Sequence, residues 1–145
     1  MSDETLAEAF WAVARQLRLR ARETLTPWEV TPAQSRAMMT LLRHGTVRLS
    51  ALAEHLGIAP RSTTEVVDAL EERGLVERQP DPHDRRATLV ALTAGGAEAA
   101  QAMREARATE SESFFDGLND EDRADLTRIL GTLRRDATAA GKPQR

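Results

Sequence analysis

Residues 49–93 of this chain read LSALAEHLGIAPRSTTEVVDALEERGLVERQPDPHDRRATLVALT, and most of the architecture can be inferred from them. Apolar residues recur at spacings of three and four over Leu49–Leu56 and again over Val66–Leu70, which predicts two amphipathic helices. Between them, Gly57 permits the positive φ that often ends a helix, and Pro60 suits the first turn of the next one. Two helices joined by such a short turn predict a helix-turn-helix.

The second of these helices, which we expect to end at Gly74, exposes side chains that can hydrogen-bond base edges and phosphates. They are Arg61, Ser62, Thr64, Glu65 and Asp68. In a helix-turn-helix the second helix can lie in the major groove of DNA. Taken alone, the stretch also fits an ordinary helical hairpin in a larger bundle, because such patterns have many false positives.

A hairpin with a charged loop is predicted after the second helix. Two short runs suited to β-strands, residues 75–78 and 88–92, flank a turn-rich loop at residues 79–86. Near the tip, Arg85 and Arg86 follow two prolines that restrict the backbone. Such a tip can enter a narrow minor groove of DNA, where the negative potential attracts arginine.

Two aspartates in the same loop, Asp81 and Asp84, leave a second interpretation open. In a solvated loop they would form ion pairs with Arg85 and Arg86, and exposed pairs of this kind are common and weak. Beside a helix-turn-helix we expect both aspartates to shape the wing. Asp84 would hold one arginine while the other reaches DNA, and the sequence does not distinguish the two.

Residues 56–93 resemble the winged helix-turn-helix of the MarR-type (multiple antibiotic resistance regulator) bacterial transcription factors. The most specific part is the wing sequence DPHDRR at residues 81–86, a fixed short distance after Leu75-Val76. The resemblance covers nearly the whole chain and implies a homodimeric repressor or activator that binds a pseudo-palindromic operator. Ala59 departs from the pattern, because a Ser or Thr cap often precedes the recognition helix.

Two helices are predicted before the winged segment. Apolar residues at helical spacing predict one over residues 6–24. A capping-box pattern at Thr31–Gln34, with proline at the first helical position, predicts a second that ends at Gly45. Residues 47–49 are expected to form a short extended link that can pair with the wing strands, and Ser50 can cap the next helix.

Two further helices are predicted after the wing. Thr93 can cap the first of them, an alanine-rich helix that continues to residues 114–115. A break at residues 117–119 follows, and Asn119 is a suitable cap for the last helix. The tail, residues 139–145, is expected to fray.

The fold class is therefore expected to be mainly α (α+β), a winged helix-turn-helix between helical arms. We divide the chain into an N-terminal dimerisation helix (residues 1–30), the DNA-binding winged domain (31–92) and C-terminal dimerisation helices (93–145). The apolar faces of the arms are large for a monomer to hide, so we expect an interdigitated homodimer. Dimerisation would place two recognition helices about 34 Å apart, one turn of DNA.

Composition and charge limit the functional classes. The 145 residues are 41% hydrophobic and 30% charged, typical of a soluble globular protein, and neither a membrane span nor a signal pattern is visible, so we expect a cytoplasmic protein. The chain has no cysteine, which excludes disulfides, thiolate metal sites and the cysteine-based oxidant sensing of one branch of the resembling family.

The net charge of −3 argues mildly against nucleic-acid binding, so positive charge would have to be concentrated on one side. We expect major-groove contacts from the recognition helix, a minor-groove contact from one wing arginine, and phosphate contacts from Ser50 and Arg48. The residues assigned to DNA are Arg48, Ser50, Pro60, Arg61, Ser62, Thr64, Glu65, Arg85 and Arg86.

No enzyme, metal site or cofactor is predicted. The serines and threonines lie mostly at helix starts, where capping explains them. The histidines, His44, His55 and His83, form no close ligand pair, and Gly95-Gly96 does not match a phosphate-binding loop.

A small effector follows from the resemblance alone. Many members of the family release DNA on binding a small aromatic or phenolic acid in a cleft between the dimer arms and the winged domain. The residues that could line such a cleft here are Trp11, Arg15, Trp28, Met38 and His44. The alternative is that Trp11, Trp28 and Met38 belong to the core, as large apolar residues at helical spacing usually do.

The sequence thus predicts a homodimeric DNA-binding regulator, with two alternatives. The first is a winged-helix adaptor that binds proteins and reads no DNA sequence, which the acidic balance favours. The second is a non-specific architectural DNA protein, although such proteins usually carry a net positive charge.

Overall fold

A computed structural model describes residues 3–140, with side chains described to residue 137. The predicted frayed tail therefore lies largely outside the described residues. The chain divides into two compact units, Met1–Glu110 and Ser111–Arg145. The helices are α1 (Leu6–Thr24), α2 (Pro32–His44), α3 (Leu49–Leu56), α4 (Pro60–Glu72), α5 (Ala94–Phe114) and α6 (Asp120–Ala140). The strands are β1 (Val47–Arg48), β2 (Val76–Pro80) and β3 (Thr88–Leu92), and a 3-10 turn spans Thr26–Trp28.

Local side-chain caps fix several helix starts where the sequence predicted them. Thr31 and Gln34 form a reciprocal capping box at α2, in which Gln34 N donates to Thr31 Oγ1 at 3.1 Å and Thr31 N donates to Gln34 Oε1 at 3.0 Å. Thr93 Oγ1 accepts from Gly96 N at 3.0 Å at the start of α5, and Asn119 Oδ1 accepts from Asp122 N at 2.8 Å at α6. Each bond satisfies a backbone donor that a helix start leaves free.

The turn between α3 and α4 also follows the prediction, but the start of α3 does not. Gly57 adopts a φ of 64°, and α4 begins at Pro60 without a side-chain cap on Ala59. The predicted cap by Ser50 is wrong, because α3 already begins at Leu49 and Ser50 lies inside its first turn. The reason is the preceding strand, which holds its residues extended up to the helix.

The three strands form an antiparallel sheet in the order β1-β3-β2. The link before α3 pairs with the wing as predicted, with Val47 opposite Val90. Strand β3 has the predicted bounds, whereas β2 runs over Val76–Pro80 rather than residues 75–78. Proline is tolerated at the end of β2 because an edge strand does not need every N–H for the sheet.

One core unites the helix-turn-helix with the sheet. The fully buried side chains include Met38 of α2, Leu52 of α3, Val67 and Leu70 of α4, and Met103 of α5. Val67 and Leu70 bury one face of α4 in this core, and the opposite face of the helix is exposed to solvent. None of the described helices combines the length and apolar character needed to cross a bilayer.

Two helices carry apolar side chains outside this core. Helix α1 has no buried residue, and Leu6 and Trp11 on it are 88% and 58% exposed. In the second unit, Ile129 and Leu133 of α6 are 46% and 57% exposed.

Candidate nucleic-acid interface

Helix α4 presents a polar face to solvent. Arg61, Ser62 and Glu65 are exposed, and Thr64 is partly buried with its hydroxyl donating to the Pro60 carbonyl at 3.0 Å. Thr63, which the sequence analysis did not single out, is fully buried, and its hydroxyl donates to the Ala59 carbonyl. The exposed face offers hydrogen-bonding groups of the kinds that recognise base edges.

Arg78 on β2 ties the wing to the recognition helix. Its Nη2 donates to Asp68 Oδ1 at 2.5 Å and its Nη1 to Glu71 Oε1 at 2.9 Å, while its backbone N donates to Glu71 Oε2 at 3.1 Å. Asp68, one of the exposed polar side chains of α4, is therefore engaged in an ion pair. The pair forms because the hairpin folds back against α4, which places Arg78 next to Asp68, ten positions earlier.

Asp81 forms the base of the wing loop. The residue is buried, and its Oδ1 accepts from His83 N while its Oδ2 accepts from Arg48 Nε, both at 2.8 Å. The hydrogen bond from the His83 N–H, together with the Arg48 guanidinium, lowers the pKa of the Asp81 carboxyl against the opposing effect of burial. Arg48, which we assigned to phosphate, thus has its Nε occupied.

Asp81→Asn is expected to lower the free energy of unfolding at neutral pH. It should also make that free energy depend less on pH in the acid range. Because folding lowers the pKa of the Asp81 carboxyl, the stabilisation is complete above the ordinary aspartate pKa and is lost as pH falls through the folded-state pKa. Asparagine can still accept from His83 N but carries no charge for Arg48. Denaturant unfolding from about pH 2 to about pH 6 measures the difference.

Asp125→Asn is the matched control for this measurement. Asp125 forms an exposed pair with Arg128 at 3.7 Å, which contributes little. If Asp81→Asn and the wild type have the same stability at every pH, the pair with Arg48 does not stabilise the wing.

The wing tip does not form the predicted pair between Asp84 and an arginine side chain. Asp84 Oδ1 accepts from the backbone N of Arg86 at 3.0 Å, and the Ala87 N donates to the Asp84 carbonyl. Among the described residues, neither the Arg85 nor the Arg86 side chain forms an ion pair, so the expectation that Asp84 holds one of them is wrong. A short aspartate side chain is satisfied by the N–H two residues later, which closes the turn locally.

A groove of about 750 Å³ lies between α3, α4 and the wing. It brings together more than half of the residues that the sequence analysis assigned to DNA. Those that line it are Arg48, Ser50, Pro60, Thr64 and Arg86. The remaining four lie outside its wall, three on the exposed face of α4 and one at the wing tip. A concave surface between an exposed helix and an arginine-tipped hairpin suits a DNA duplex.

Comparison with known proteins supplies the family. The MarR family model matches residues 30–88. The HTH-type transcriptional regulator ML2140 of Mycobacterium leprae is 37% identical over 102 residues, which are 70% of this chain and 68% of that protein. This chain belongs to the MarR family. It is a DNA-binding transcriptional regulator and not an enzyme, as the sequence analysis predicted.

Two further matches extend the comparison. The HTH-type transcriptional repressor MdtR of Bacillus subtilis is 31% identical over 96 residues, 66% of this chain and 61% of that protein. A mutant of MarR from E. coli, solved in complex with operator DNA, matches with a TM-score of 0.72 and 25% identity. That match covers 88% of this chain and 92% of the other. The predicted MarR-type winged fold is confirmed.

Within the part of the chain that the structure describes, the five residues suggested for an effector line three separate cavities. Trp28 and Met38 line a cavity of about 170 Å³, Trp11 and Arg15 line another on α1, and His44 lines a third. The alternative assignment to the core fits Met38, which is fully buried, but not Trp11, which is 58% exposed. The separation arises because α1 contributes nothing to the core that holds Met38.

Arg73 is a residue that sequence reasoning missed. It follows α4, and its guanidinium donates to the Trp28 carbonyl at 2.7 Å and to the Glu29 carbonyl at 3.1 Å. Glu29 has a φ of 52°, a left-handed conformation unusual outside glycine. Arg73 therefore connects the end of the recognition helix to the turn between α1 and α2. Nothing in the local sequence indicates a contact across 44 residues.

Proposed function

We propose that this MarR-family protein is a homodimeric repressor that binds a pseudo-palindromic operator in the bacterial cytoplasm. The observation that carries the proposal is the exposed face of α4 beside a wing whose tip arginines, Arg85 and Arg86, have no ion-pair partner among the described residues. Repression is favoured over activation because the Bacillus relative MdtR is named a repressor.

In this proposal each group contacts a different part of the duplex. Arg61 can form two hydrogen bonds to a guanine edge in the major groove, and Ser62 and Glu65 can contact neighbouring base edges. Ser50 lies in the first turn of α3, where backbone N–H groups favour phosphate. The terminal nitrogens of Arg48 remain for phosphate while its Nε binds Asp81.

Selection from a random duplex library, followed by affinity measurements against salt, tests the proposal. The expected product is an inverted repeat with half-sites about one helical turn, 34 Å, apart. We expect it to bind about a thousandfold or more tightly than a scrambled duplex.

The two alternatives predict other results in the same experiment. Salt-dependent binding without sequence preference would identify an architectural protein and contradict the repressor. No enrichment even at low salt would favour the adaptor, for which the net charge of −3 is the supporting observation.

The dimer is proposed to form through the terminal arms, residues 1–30 and 93–145. The support is apolar surface without a partner in one chain, notably on α1, where Phe10 and Trp11 are 51% and 58% exposed. Surfaces of this kind usually mark an interface.

Removal of all residues after Gly117 is expected to yield a monomer or insoluble protein, because the truncation deletes α6 with Ile129 and Leu133. Sedimentation equilibrium measures the mass of the soluble fraction. The double change Phe10→Ser with Trp11→Ser tests the other arm without shortening the chain, and Arg18→Gln on the same helix is its control. A well-folded dimer after the truncation would contradict the terminal-arm interface.

We further propose that a small aromatic or phenolic acid releases the operator. Because the candidate residues line three separate cavities in one chain, a shared pocket would need the partner subunit. Salicylate titrated into the operator complex is the simplest probe, and an unchanged affinity at millimolar concentration would contradict this part of the proposal.

A further inference from the structure

A second concave surface, of about 660 Å³, lies between α2, α3 and α5. It shares no residue with the groove at the wing. Its walls combine cationic and apolar side chains with one threonine. The lining residues are Arg36, Met39, Thr40, Leu42, Arg43, His44, His55, Leu56, Arg104 and Arg107.

The charge of this cavity is opposite to that of the whole chain. Four arginines and two histidines line it, and no aspartate or glutamate does, although the sequence has 23 acidic residues against 20 basic ones. Some arginines outside the cavity are paired with acids, as at Arg48, Arg78 and Arg123. In the cavity, Arg43, Arg104 and Arg107 have no ion-pair or hydrogen-bond partner among the described residues.

The ends of two helices explain some of these cations, but not all. Arg36 Nη2 donates to the Leu56 carbonyl at 2.5 Å, at the end of α3. Arg43 lies in the last turn of α2, where the helix dipole favours its positive charge, and His44 and His55 lie in the last turns of α2 and α3. Arg104 and Arg107 have no such explanation, because they lie in the middle of α5 and one helical turn apart.

The two histidines come together only through the fold. Their rings stack with centroids 4.3 Å apart and planes 18° apart, at the side of the cavity formed by α2 and α3. Imidazole N–H groups can donate hydrogen bonds to an anionic oxygen. The stack therefore adds directional donors to the guanidinium groups.

We propose that this cavity binds a small, multiply charged anion, a compact molecule with several carboxylate or phosphate oxygens. Guanidinium groups bind such oxygens through paired N–H donors, and several of them converge here from three helices. The volume lies in the range of pockets that hold small ligands. Without an anion, the clustered positive charges repel one another with no compensating acid.

Isothermal titration of the full-length protein with citrate and with pyrophosphate, in a low-salt buffer without phosphate, tests the site. Both probes are expected to bind far more tightly than acetate, which has the same oxygens but a single charge. Arg104→Gln combined with Arg107→Gln is expected to weaken binding at least tenfold. Arg128→Gln removes the same charge from an exposed position outside the cavity and should leave binding unchanged.

Three results would overturn the site. The first is binding of citrate and pyrophosphate no tighter than that of acetate, and the second is equal binding of both probes to the double variant. The third is a loss of affinity for duplex DNA in the double variant while the small anions fail to bind, which would make the cavity a contact for the DNA backbone. If the double variant does not fold, Arg43→Gln on α2 supplies the same comparison. Operator binding is measured separately, so failure here leaves the repressor proposal standing.

Discussion

Gly96→Ala is expected to destabilise the protein by about 3 kcal/mol or more, because overpacking against backbone cannot be relieved by a side-chain rotation. A Cβ on Gly96 would lie 1.8 Å from the carbonyl oxygen of Leu75 and 2.7 Å from its carbonyl carbon. That carbonyl accepts from Thr93 N at 3.1 Å, and the Thr93 hydroxyl donates to the Gly74 carbonyl at 2.6 Å. Moving α5 away would break these bonds.

The neighbouring glycine provides a matched control. A Cβ on Gly95 would meet only Thr93 Oγ1, at 3.9 Å, so Gly95→Ala should be neutral or slightly stabilising through helix propensity. Thermal unfolding followed by circular dichroism compares the two, with an expected fall of roughly 10 °C for Gly96→Ala. Equal midpoints for both variants would show that α5 does not approach Leu75 this closely.

Of Arg85→Ala and Arg86→Ala, at least one is expected to weaken operator binding tenfold or more, about 1.4 kcal/mol. Both side chains are exposed and neither has an ion-pair partner among the described residues, so neither is already committed to shaping the loop. Arg86 also lines the groove beside α4, together with Arg48 and Thr64. An arginine in a narrow minor groove meets concentrated negative potential.

Affinity against salt separates a wing contact from a general loss of charge. For the arginine that reaches DNA, the substitution removes about one phosphate contact. The magnitude of the slope of log affinity against log salt concentration should therefore fall by about one. Arg128→Ala removes an exposed charge from α6, a helix that contributes no residue to the groove, and should change neither affinity nor slope once the variant is shown to have the wild-type oligomeric mass. The unfolding midpoint should stay at the wild-type value, since neither wing arginine is buried. If both wing variants bind the operator normally, the wing does not read DNA.

The parts of the fold that follow from the sequence are those set by neighbouring residues. Thr31 with Gln34 defines the start of α2, and Gly57 with Pro60 defines the turn of the helix-turn-helix. The run of strand-forming residues at 88–92 gives the bounds of β3 without correction. Helix caps, turns and periodic apolar patterns each depend on a few neighbouring residues. The sequence alone is therefore sufficient to predict them.

The pairing of charges could not be read in this way. Arg85 and Arg86 stand next to Asp84, yet Asp84 binds backbone, and Asp81 binds Arg48 from 33 residues away. That pairing depends on the register of β1 with β3, which places Arg48 at the base of the wing.

The tertiary structure alone brings together the remaining features of the candidate sites. Arg73 reaches the turn before α2, and Arg104 and Arg107 line the same cavity as the stacked histidines from another helix. Gly96 is required only because Leu75 packs against it. Local propensity sets where elements begin and end, whereas the partners of a charged or small residue are set by long-range packing that sequence spacing does not encode.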